Sequence, residues 1–425
     1  MKSNYNNLYF FKLSFFLLIF PSLQVASNIT SSFIPIVIIS ILILFNVFLL
    51  KPIYFNKVED DSLIWPIKLF LIWNIVTIVR GVFVAENYWE WKHLFLTGFV
   101  MLMPTFVYLF SNKLFTRQIL SFWLKYILFS IVLFIPIIIN PAFYGVYLSP
   151  IMIFLLLFPL LSIRWKFLIF ILLIIAMYQS TGSRSLEIYY FISTVFGLLY
   201  YLRKFLNNFI FKIGHILFLI LPFVLLLLGL TGTFNVFKMD QYINGNYQTT
   251  SYETGQKEKI SLKADTRTFI YVENIQSALK HNYVLQGRTP ANGYDSKYFG
   301  NFLKYTLHTG KMQRFSSEVG ILNIFLWGGL IGVGLYFLIF FYASYLAIYK
   351  SKSYFMKIIG LFIAFQWAYS FVSGYATFDM LNLTLWLLIS MCYSTEFRKM
   401  DDKEFTQWFK NLFPSIMYGK YIKII

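Results

Sequence analysis

The sequence predicts an all-α integral membrane protein with about twelve transmembrane helices and one large extracytoplasmic loop containing short amphipathic helices. The chain is 58% hydrophobic with a mean hydropathy of +0.65, which excludes a water-soluble globular protein. Each apolar run approaches the roughly 20 residues that a spanning helix needs. These runs fall at 8–25, 31–50, 62–83, 91–111, 119–139, 143–161, 165–181, 185–201, 214–233, 318–345, 358–376 and 379–395. The sequence lacks the short alternating strands typical of membrane barrels, so helices are expected to satisfy the backbone.

The distribution of basic residues predicts the orientation, because short loops rich in Lys and Arg stay in the cytoplasm. With the N-terminus inside, the inner connections and the two termini hold 20 of the 36 basic residues. The short outer connections, such as 27–30 and 140–145, are nearly uncharged. Both termini are therefore expected in the cytoplasm. The same bias explains most of the net charge of +18, so nucleic acid is not expected as a partner.

One polar stretch interrupts the apolar runs, and it divides the chain into four parts. Residues 1–233 hold predicted spans one to nine, and 234–316 form an extracytoplasmic loop, called the insert below. Residues 317–395 hold spans ten to twelve, and 396–425 form a cytoplasmic tail. The insert carries eleven basic and six acidic side chains. Since the orientation rule does not favour this surplus, it indicates an anionic ligand near the outer leaflet; a solvated basic face is the alternative.

Within the insert, 234–265 is polar and is expected to be irregular. Apolar residues recur at helical spacing from Arg267 and again around Tyr298, which predicts two short helices. A Gly- and Pro-containing turn at 287–293 would join them across the outer mouth of the bundle. The lone cysteine, Cys392, lies in the last predicted span, so disulfides cannot stabilise the insert.

Charged residues at the outer ends of spans are the candidate site residues, since such charges usually face a cavity or a partner. Arg80 and Arg184 both fall there, and Arg suits bidentate phosphate contacts. Snorkelling to lipid phosphates is the alternative for Arg80. Pairing with Glu187 or capping of the turn is the alternative for Arg184.

Glu318 and His308 are the outer groups best placed to take a proton. Glu318 would stay ionised if Arg314, Arg288 and Arg267 gather beside it. A helix N-terminal carboxylate and a surface histidine are the alternative interpretations.

Other acidic and aromatic groups point less clearly to a site. Glu86 and Glu90 are expected to be solvated rim charges, and His93 with its flanking tryptophans to be interfacial anchors. The spacing of His, Cys, Asp and Glu in the sequence predicts no metal site, and the chain contains no P-loop and no dinucleotide-binding pattern.

Several segments resemble O-antigen polymerases, which belong with the O-antigen ligases to one superfamily of polytopic glycosyltransferases. Residues 317–323 (SEVGILN) and 327–332 (WGGLIG) resemble the end of that family's large periplasmic loop and its next helix. Residues 183–185 (SRS) resemble its SR turn before a span. Arg267, followed by 285–288 (LQGR), resembles its loop pattern.

The resemblance implies a metal-independent glycosyltransferase without other cofactors, in the bacterial inner membrane. It would join repeat units carried on undecaprenyl diphosphate at the periplasmic face, transferring the growing chain to the next unit. Arg184, Arg267 and Arg288 would bind the diphosphate, and Arg80 and Arg314 are added on their location and chemistry. Membrane lipid is an expected partner. A chain-length-regulating co-polymerase is a partner that the sequence leaves open.

Other functions remain open from the sequence. Ligases share a loop histidine before the re-entry segment; His308 lies near that place, but the flanking residues 309–311 fit poorly, so a polymerase is favoured over a ligase. A flippase or transporter for lipid-linked oligosaccharides would carry charges deep in several spans, whereas these charges gather at one rim. A non-catalytic membrane scaffold is a further alternative.

Overall fold

A computed structural model describes residues 2–18, 33–134, 142–179, 184–242, 248–251, 258–261, 265, 267–306, 309–374 and 376–413. Within these ranges the chain is almost entirely helical. The helices are α1 Lys2–Leu17, α2 Ile34–Tyr54, α3 Lys57–Asp60, α4 Trp65–Val84, α5 Tyr88–Met101, α6 Val107–Phe110, α7 Lys113–Phe122, α8 Leu128–Phe134, α9 Ala142–Tyr147, α10 Ile151–Leu156, α11 Ile163–Gln179, α12 Arg184–Leu198, α13 Asn208–Leu230, α14 Thr268–Lys280, α15 Gly320–Tyr349, α16 Tyr354–Tyr369, α17 Met380–Tyr393, α18 Thr395–Lys399 and α19 Asp402–Lys410.

Six helical segments in the described part are long and apolar enough to cross a membrane. They are Ile34–Tyr54, Trp65–Val84, Tyr88–Phe110, Arg184–Leu202, Asn208–Leu230 and Gly320–Tyr349. The shorter apolar helices α16 and α17 accompany them. These helices confirm the prediction of an all-α protein of the membrane type. The number of twelve spans stays a prediction.

The predicted span at 143–161 is not a continuous α-helix. The apolar run 143–161 is divided into α9, α10 and a short 3-10 turn at Phe158–Leu160. Pro150 lies directly before α10, and Pro159 lies in the 3-10 turn. Proline lacks the amide hydrogen that a helix interior needs, so hydropathy alone overestimated the length of helix here.

Polar side chains cap the apolar helices. Asn87 accepts hydrogen bonds from two amides at the start of α5, and Asn207 does the same for α13. Asp379 accepts from the Asn382 amide at the start of α17. Such caps satisfy amides that the helix itself cannot pair, which fixes where each span begins.

The centre of the bundle is formed by the later helices. Every residue of α17 is buried, and α16 is buried along nearly its whole length between α13, α15 and α17. In contrast, α13 exposes most of its apolar side chains at the periphery. Because neighbouring helices surround α16 and α17, these two helices expose little surface to lipid. The two helices below usual spanning length therefore lie inside the bundle.

Loops gather at the two ends of the bundle. At one end, called the basic end below, the loop before α4 meets the segment after α17: Glu59 Oε1 lies 2.8 Å from Lys399 Nζ, and Asp60 Oδ1 accepts from the Thr395 amide at 2.8 Å. At the other end, called the insert end, residues 267–318 pack on the α4–α5 and α16–α17 connections. Two further connections predicted to be inner also lie at the basic end: the Lys113 amide donates to Glu396 Oε2 at 3.0 Å, and Ser353 Oγ donates to Asp402 Oδ1 at 2.6 Å.

The insert contains one predicted helix and two unpredicted hairpins. Helix α14 confirms the first amphipathic helix, whereas the second is only a π-helical turn at Phe302–Thr306. Strand β1 (Gln248–Ser251) pairs antiparallel with β2 (Glu258–Ser261), in a stretch expected to be irregular. Strand β3 (Tyr294–Asp295) pairs with β4 (Gln313–Arg314). The β3–β4 pairing joins segments that are distant in sequence and leaves no local periodic signal. The β1–β2 hairpin lies in a polar stretch whose composition does not favour strands.

Candidate functional site at the insert end

Helix α15 is interrupted at Gly329, and the insert fills the interruption. Gly329 has φ 66° and ψ −164°, far from helical values. The amides of Leu330 and Ile331, freed by this break, donate to the carbonyls of Val284 and Leu285 at 2.9 and 3.2 Å. Since unpaired backbone groups are costly in a membrane bundle, the loop 284–288 is a structural part of α15. The break lies roughly 14 Å along the axis from the start of the helix.

Two glycines make this close approach of backbones feasible. Gly287 has φ 72°, and a Cβ there would overlap the Trp327 carbonyl. A Cβ on Gly329 would overlap the Leu285 carbonyl. On the helix side, the Gly328 carbonyl accepts from Trp73 Nε1 at 2.9 Å. The two sequence segments LQGR and WGGLIG therefore contact each other directly, which the sequence analysis did not anticipate.

Arg80 supports this loop from the end of α4. Its Nη1 donates to the Gln286 carbonyl at 2.8 Å, and its Nη2 donates to the Gly287 carbonyl at 3.2 Å. The side chain thus reaches the insert rather than the lipid phosphates considered from the sequence. Arg80 lies where it could contact an anion, but its Nη1 and Nη2 groups already donate to loop carbonyls.

Arg288 belongs to a network centred on Asp295. Arg288 Nη1 donates to the Gly293 carbonyl at 2.7 Å and to Asp295 Oδ1 at 3.1 Å. Lys280 Nζ and His281 Nε2 lie 2.7 and 2.8 Å from Asp295 Oδ2. Burial alone would raise the pKa of Asp295, but these three hydrogen-bond partners outweigh burial and lower it to about 2. Sequence reasoning missed Asp295, although three basic side chains contact it.

Arg314 and Glu318 form a second ion pair close by. Arg314 Nη2 lies 2.5 Å from Glu318 Oε1, and its guanidinium lies 4.3 Å from the centre of the Phe299 ring. Arg314 Nη1 also donates to Tyr294 Oη at 3.4 Å. Burial alone would lower the pKa of Arg314, but Glu318 and Tyr294 hold it above its usual value. The Glu318 side chain is 42% exposed, so one carboxylate edge faces solvent directly before α15.

Arg184 and Arg267 form a pair from distant parts of the chain. Arg184 is the first residue of α12, and Arg267 directly precedes α14. Arg267 Nε donates to the Val372 carbonyl at 3.3 Å, and both guanidinium groups lie within electrostatic range of Tyr369 and of each other. Two guanidinium groups within electrostatic range of each other can share one anion as a ligand.

The two groups of site residues flank the start of α15. The Ile321 amide donates to the Ser370 carbonyl at 2.9 Å, and Gly320 lies against Gly374. The Arg184–Arg267 pair lies beside this α16–α17 connection. Glu318 lies just before the start of α15. The structure therefore links Arg80, Arg288, Arg314 and Glu318 through the insert loop and places Arg184 with Arg267 as a neighbouring pair. His308 lies outside the described residues.

Glu86 and Glu90 were both expected to be solvated rim charges, but only Glu86 is exposed. Glu90 is fully buried and binds Lys311 Nζ at 2.6 Å, while the exposed Glu86 lies 3.1 Å from the same Nζ. The His93 ring stacks on Phe315 with centroids 3.9 Å apart. Glu90 is therefore a buried anchor for the insert rather than a solvated rim charge. In the described residues, three or more His, Cys, Asp or Glu side chains nowhere group as a metal site would require.

Comparisons with known proteins add no further assignment. No protein-family model, no curated protein and no solved structure matches the chain.

Proposed function

We propose that the chain is a glycosyltransferase of the bacterial inner membrane that polymerises oligosaccharide repeat units carried on undecaprenyl diphosphate, as an O-antigen polymerase does. The observation that carries the proposal is the pairing of Arg184 with Arg267 at the rim of the bundle. Two half-buried guanidinium groups from separate segments suit the diphosphate of a lipid whose chain lies beside the protein.

The proposed reaction joins a sugar hydroxyl to an anomeric carbon. A hydroxyl of the incoming unit attacks the anomeric carbon of the growing chain, and the bond from that carbon to the diphosphate oxygen breaks. Undecaprenyl diphosphate leaves with both electrons of that bond, stabilised by Arg184 and Arg267. The exposed edge of Glu318 accepts the hydroxyl proton or orients the hydroxyl. Arg80, Arg288 and Arg314 hold the loop that shapes the acceptor side.

The proposed topology follows from the same arrangement. The insert end faces the periplasm, and the basic end with both termini faces the cytoplasm. The apolar segments together make twelve passes, of which those of α16 and α17 are enclosed by neighbouring helices. This orientation agrees with the bias of basic residues and brings the arginine pair to the leaflet where exported lipid-linked glycans reside.

Electrophoresis of surface glycans from a deletion strain tests the proposal. We expect a single capped repeat unit in place of a ladder of long chains, and restoration of the ladder by the wild-type chain. Unmodified core without any repeat unit would indicate lost ligation or export instead. That result would contradict polymerase activity and favour the ligase or flippase alternatives.

A further inference from the structure

We propose that a pocket at the basic end binds the phosphate head group of an anionic membrane lipid. The pocket has a volume of about 740 Å³. It lies between the start of α4, the last turns of α15 and the segment that follows α17. It lies at the end of the bundle opposite the arginine pair. The inference is therefore independent of the proposed glycosyltransferase reaction.

Four cationic side chains line this pocket. Lys350 and Lys352 follow the end of α15, and Arg398 and Lys399 belong to α18. The nearby acids are Glu59, which lies 2.8 Å from Lys399 Nζ, the buried Asp60, and Glu396 in the first turn of α18. Even with all three acids ionised, the four cations leave a positive surplus. Such a surplus in a partly enclosed space favours an anion.

Arg398 distinguishes this pocket from a solvated basic surface. The residue is only 8% exposed, and its Nε has no hydrogen-bond partner among the described residues. Its Nη2 donates to Thr395 Oγ1 at 3.1 Å. Buried guanidinium donors are costly when unpaired, and a small shift of the side chain toward the pocket would let a phosphate oxygen satisfy them.

The remaining wall of the pocket is apolar, which favours a lipid over free phosphate. Leu63, Tyr342, Tyr345 and Leu346 form this wall, and the last three belong to the final turns of a spanning helix. Tyrosines at such a level place an apolar ring toward acyl chains and a hydroxyl toward head groups. Basic pockets between spans are known to bind acidic lipid head groups. A free phosphate would use the cations but not this wall.

Native mass spectrometry of the full chain tests the proposal. The protein is released from nanodiscs of phosphatidylcholine that contain a minor fraction of phosphatidylglycerol, and the retained lipids are counted. We expect wild type to retain phosphatidylglycerol above its share of the bilayer. The exposed pair Lys350→Gln/Lys352→Gln should weaken this retention on the order of tenfold, since each lysine near an anionic surface contributes to binding.

The matched control removes two exposed lysines of the basic end outside the pocket. Lys204→Gln/Lys410→Gln changes the net charge equally and should leave retention within about twofold of wild type. Equal loss in both variants, or none in the pocket variant, would overturn the site. Displacement of the bound lipid by millimolar inorganic phosphate would overturn the assignment to a lipid.

Discussion

The arginines at the insert end have two kinds of surroundings. Arg80 donates to carbonyls of the insert. Arg288 donates to the Asp295 carboxylate, and Arg314 donates to the Glu318 carboxylate just before α15. Arg184 and Arg267 instead approach each other beside Tyr369. The first kind stabilises a loop, and the second is the proposed site of the diphosphate. Substitutions in the two groups should therefore have different consequences.

Removal of one charge from the pair should impair polymerisation without unfolding the protein. The hydrogen bond from Arg267 to the Val372 carbonyl, which Arg267→Ala removes, contributes about 1 kcal/mol to stability. A lost charge-assisted contact to the diphosphate costs about 1.5–3 kcal/mol, so polymer should fall at least about tenfold. Glycan ladders from a complemented deletion strain provide the measurement. Lys297→Ala, an exposed cation of the same insert, should leave the ladder intact.

Arg184→Ala should give the same short glycans as Arg267→Ala. Long chains in both variants, with protein levels equal to wild type, would show that the pair does not bind the diphosphate.

Asp295 should make the order of the 286–296 loop dependent on pH. Its pKa of about 2 lies below the usual 3.9 of an aspartate. A carboxylate with a depressed folded-state pKa stabilises the fold above the unfolded-state pKa, and this stabilisation is lost as the pH falls through the folded value. The loop should therefore loosen between about pH 4 and pH 2, as measured by hydrogen exchange of its amides.

Asp295→Asn should produce that loosening already at neutral pH, with exchange about tenfold faster because Lys280, His281 and Arg288 lose their carboxylate partner. Asp240→Asn, which removes an exposed acid of the same insert, serves as the control. Unchanged exchange in Asp295→Asn would mean that the network does not hold the loop.

At the scale of elements, the joint between the insert and the broken helix α15 organises the site. The loop 284–288 supplies carbonyls to α15, and the Leu326 carbonyl of α15 accepts from the Arg288 amide at 2.6 Å. This joint fixes the start of the Arg288–Asp295 network relative to the membrane-spanning helices. A spanning helix thereby positions an extramembrane loop through backbone hydrogen bonds, which do not depend on side-chain identity except at glycine.

A methyl group at the joint should disrupt it. Gly329→Ala imposes a strained positive φ, which costs about 1–3 kcal/mol, and overlaps the Leu285 carbonyl. We expect a lower melting temperature by fluorescence-detected size exclusion and loss of long glycans. Gly334→Ala lies in the same helix with open space around its Cβ position and should behave like wild type. Equal melting temperatures for both variants would contradict the role of the joint.

The sequence predicted most helices at this scale but not the contacts between them. Hydropathy is a local property, so α2, α4 and α15 begin within a few residues of their predicted runs. The break at Gly329 was not predicted because glycine is common in membrane helices and leaves their hydropathy unchanged. The β3–β4 ladder, the buried state of Glu90 and the proximity of Arg184 to Arg267 depend on tertiary packing, which no spacing rule records.

At the scale of the whole molecule, the bundle has two distinct ends. The basic end holds the loops that orientation rules assign to the cytoplasm, and the insert end holds the candidate site. Polymerisation of exported glycans requires that the insert end face the periplasm.

Labelling of single cysteines should confirm this orientation. Cys392 is buried, so its replacement by Ala leaves a background without thiols. A membrane-impermeant maleimide should label Lys297→Cys in spheroplasts and should label Lys410→Cys only after lysis. Both positions are exposed, which makes them matched reporters of the two ends. The reverse pattern would place the arginine pair on the cytoplasmic side and rule out the proposed reaction there.

Reconstitution tests the proposed chemistry most directly. Purified protein in liposomes is given lipid-linked repeat units extracted from the deletion strain, and chain length and released undecaprenyl diphosphate are followed together. We expect wild type to form a ladder of increasing length with one lipid diphosphate released for each joining, and Arg184→Ala/Arg267→Ala to form none. Repeat units that stay single with wild type, or that only cross the bilayer, would contradict a polymerase.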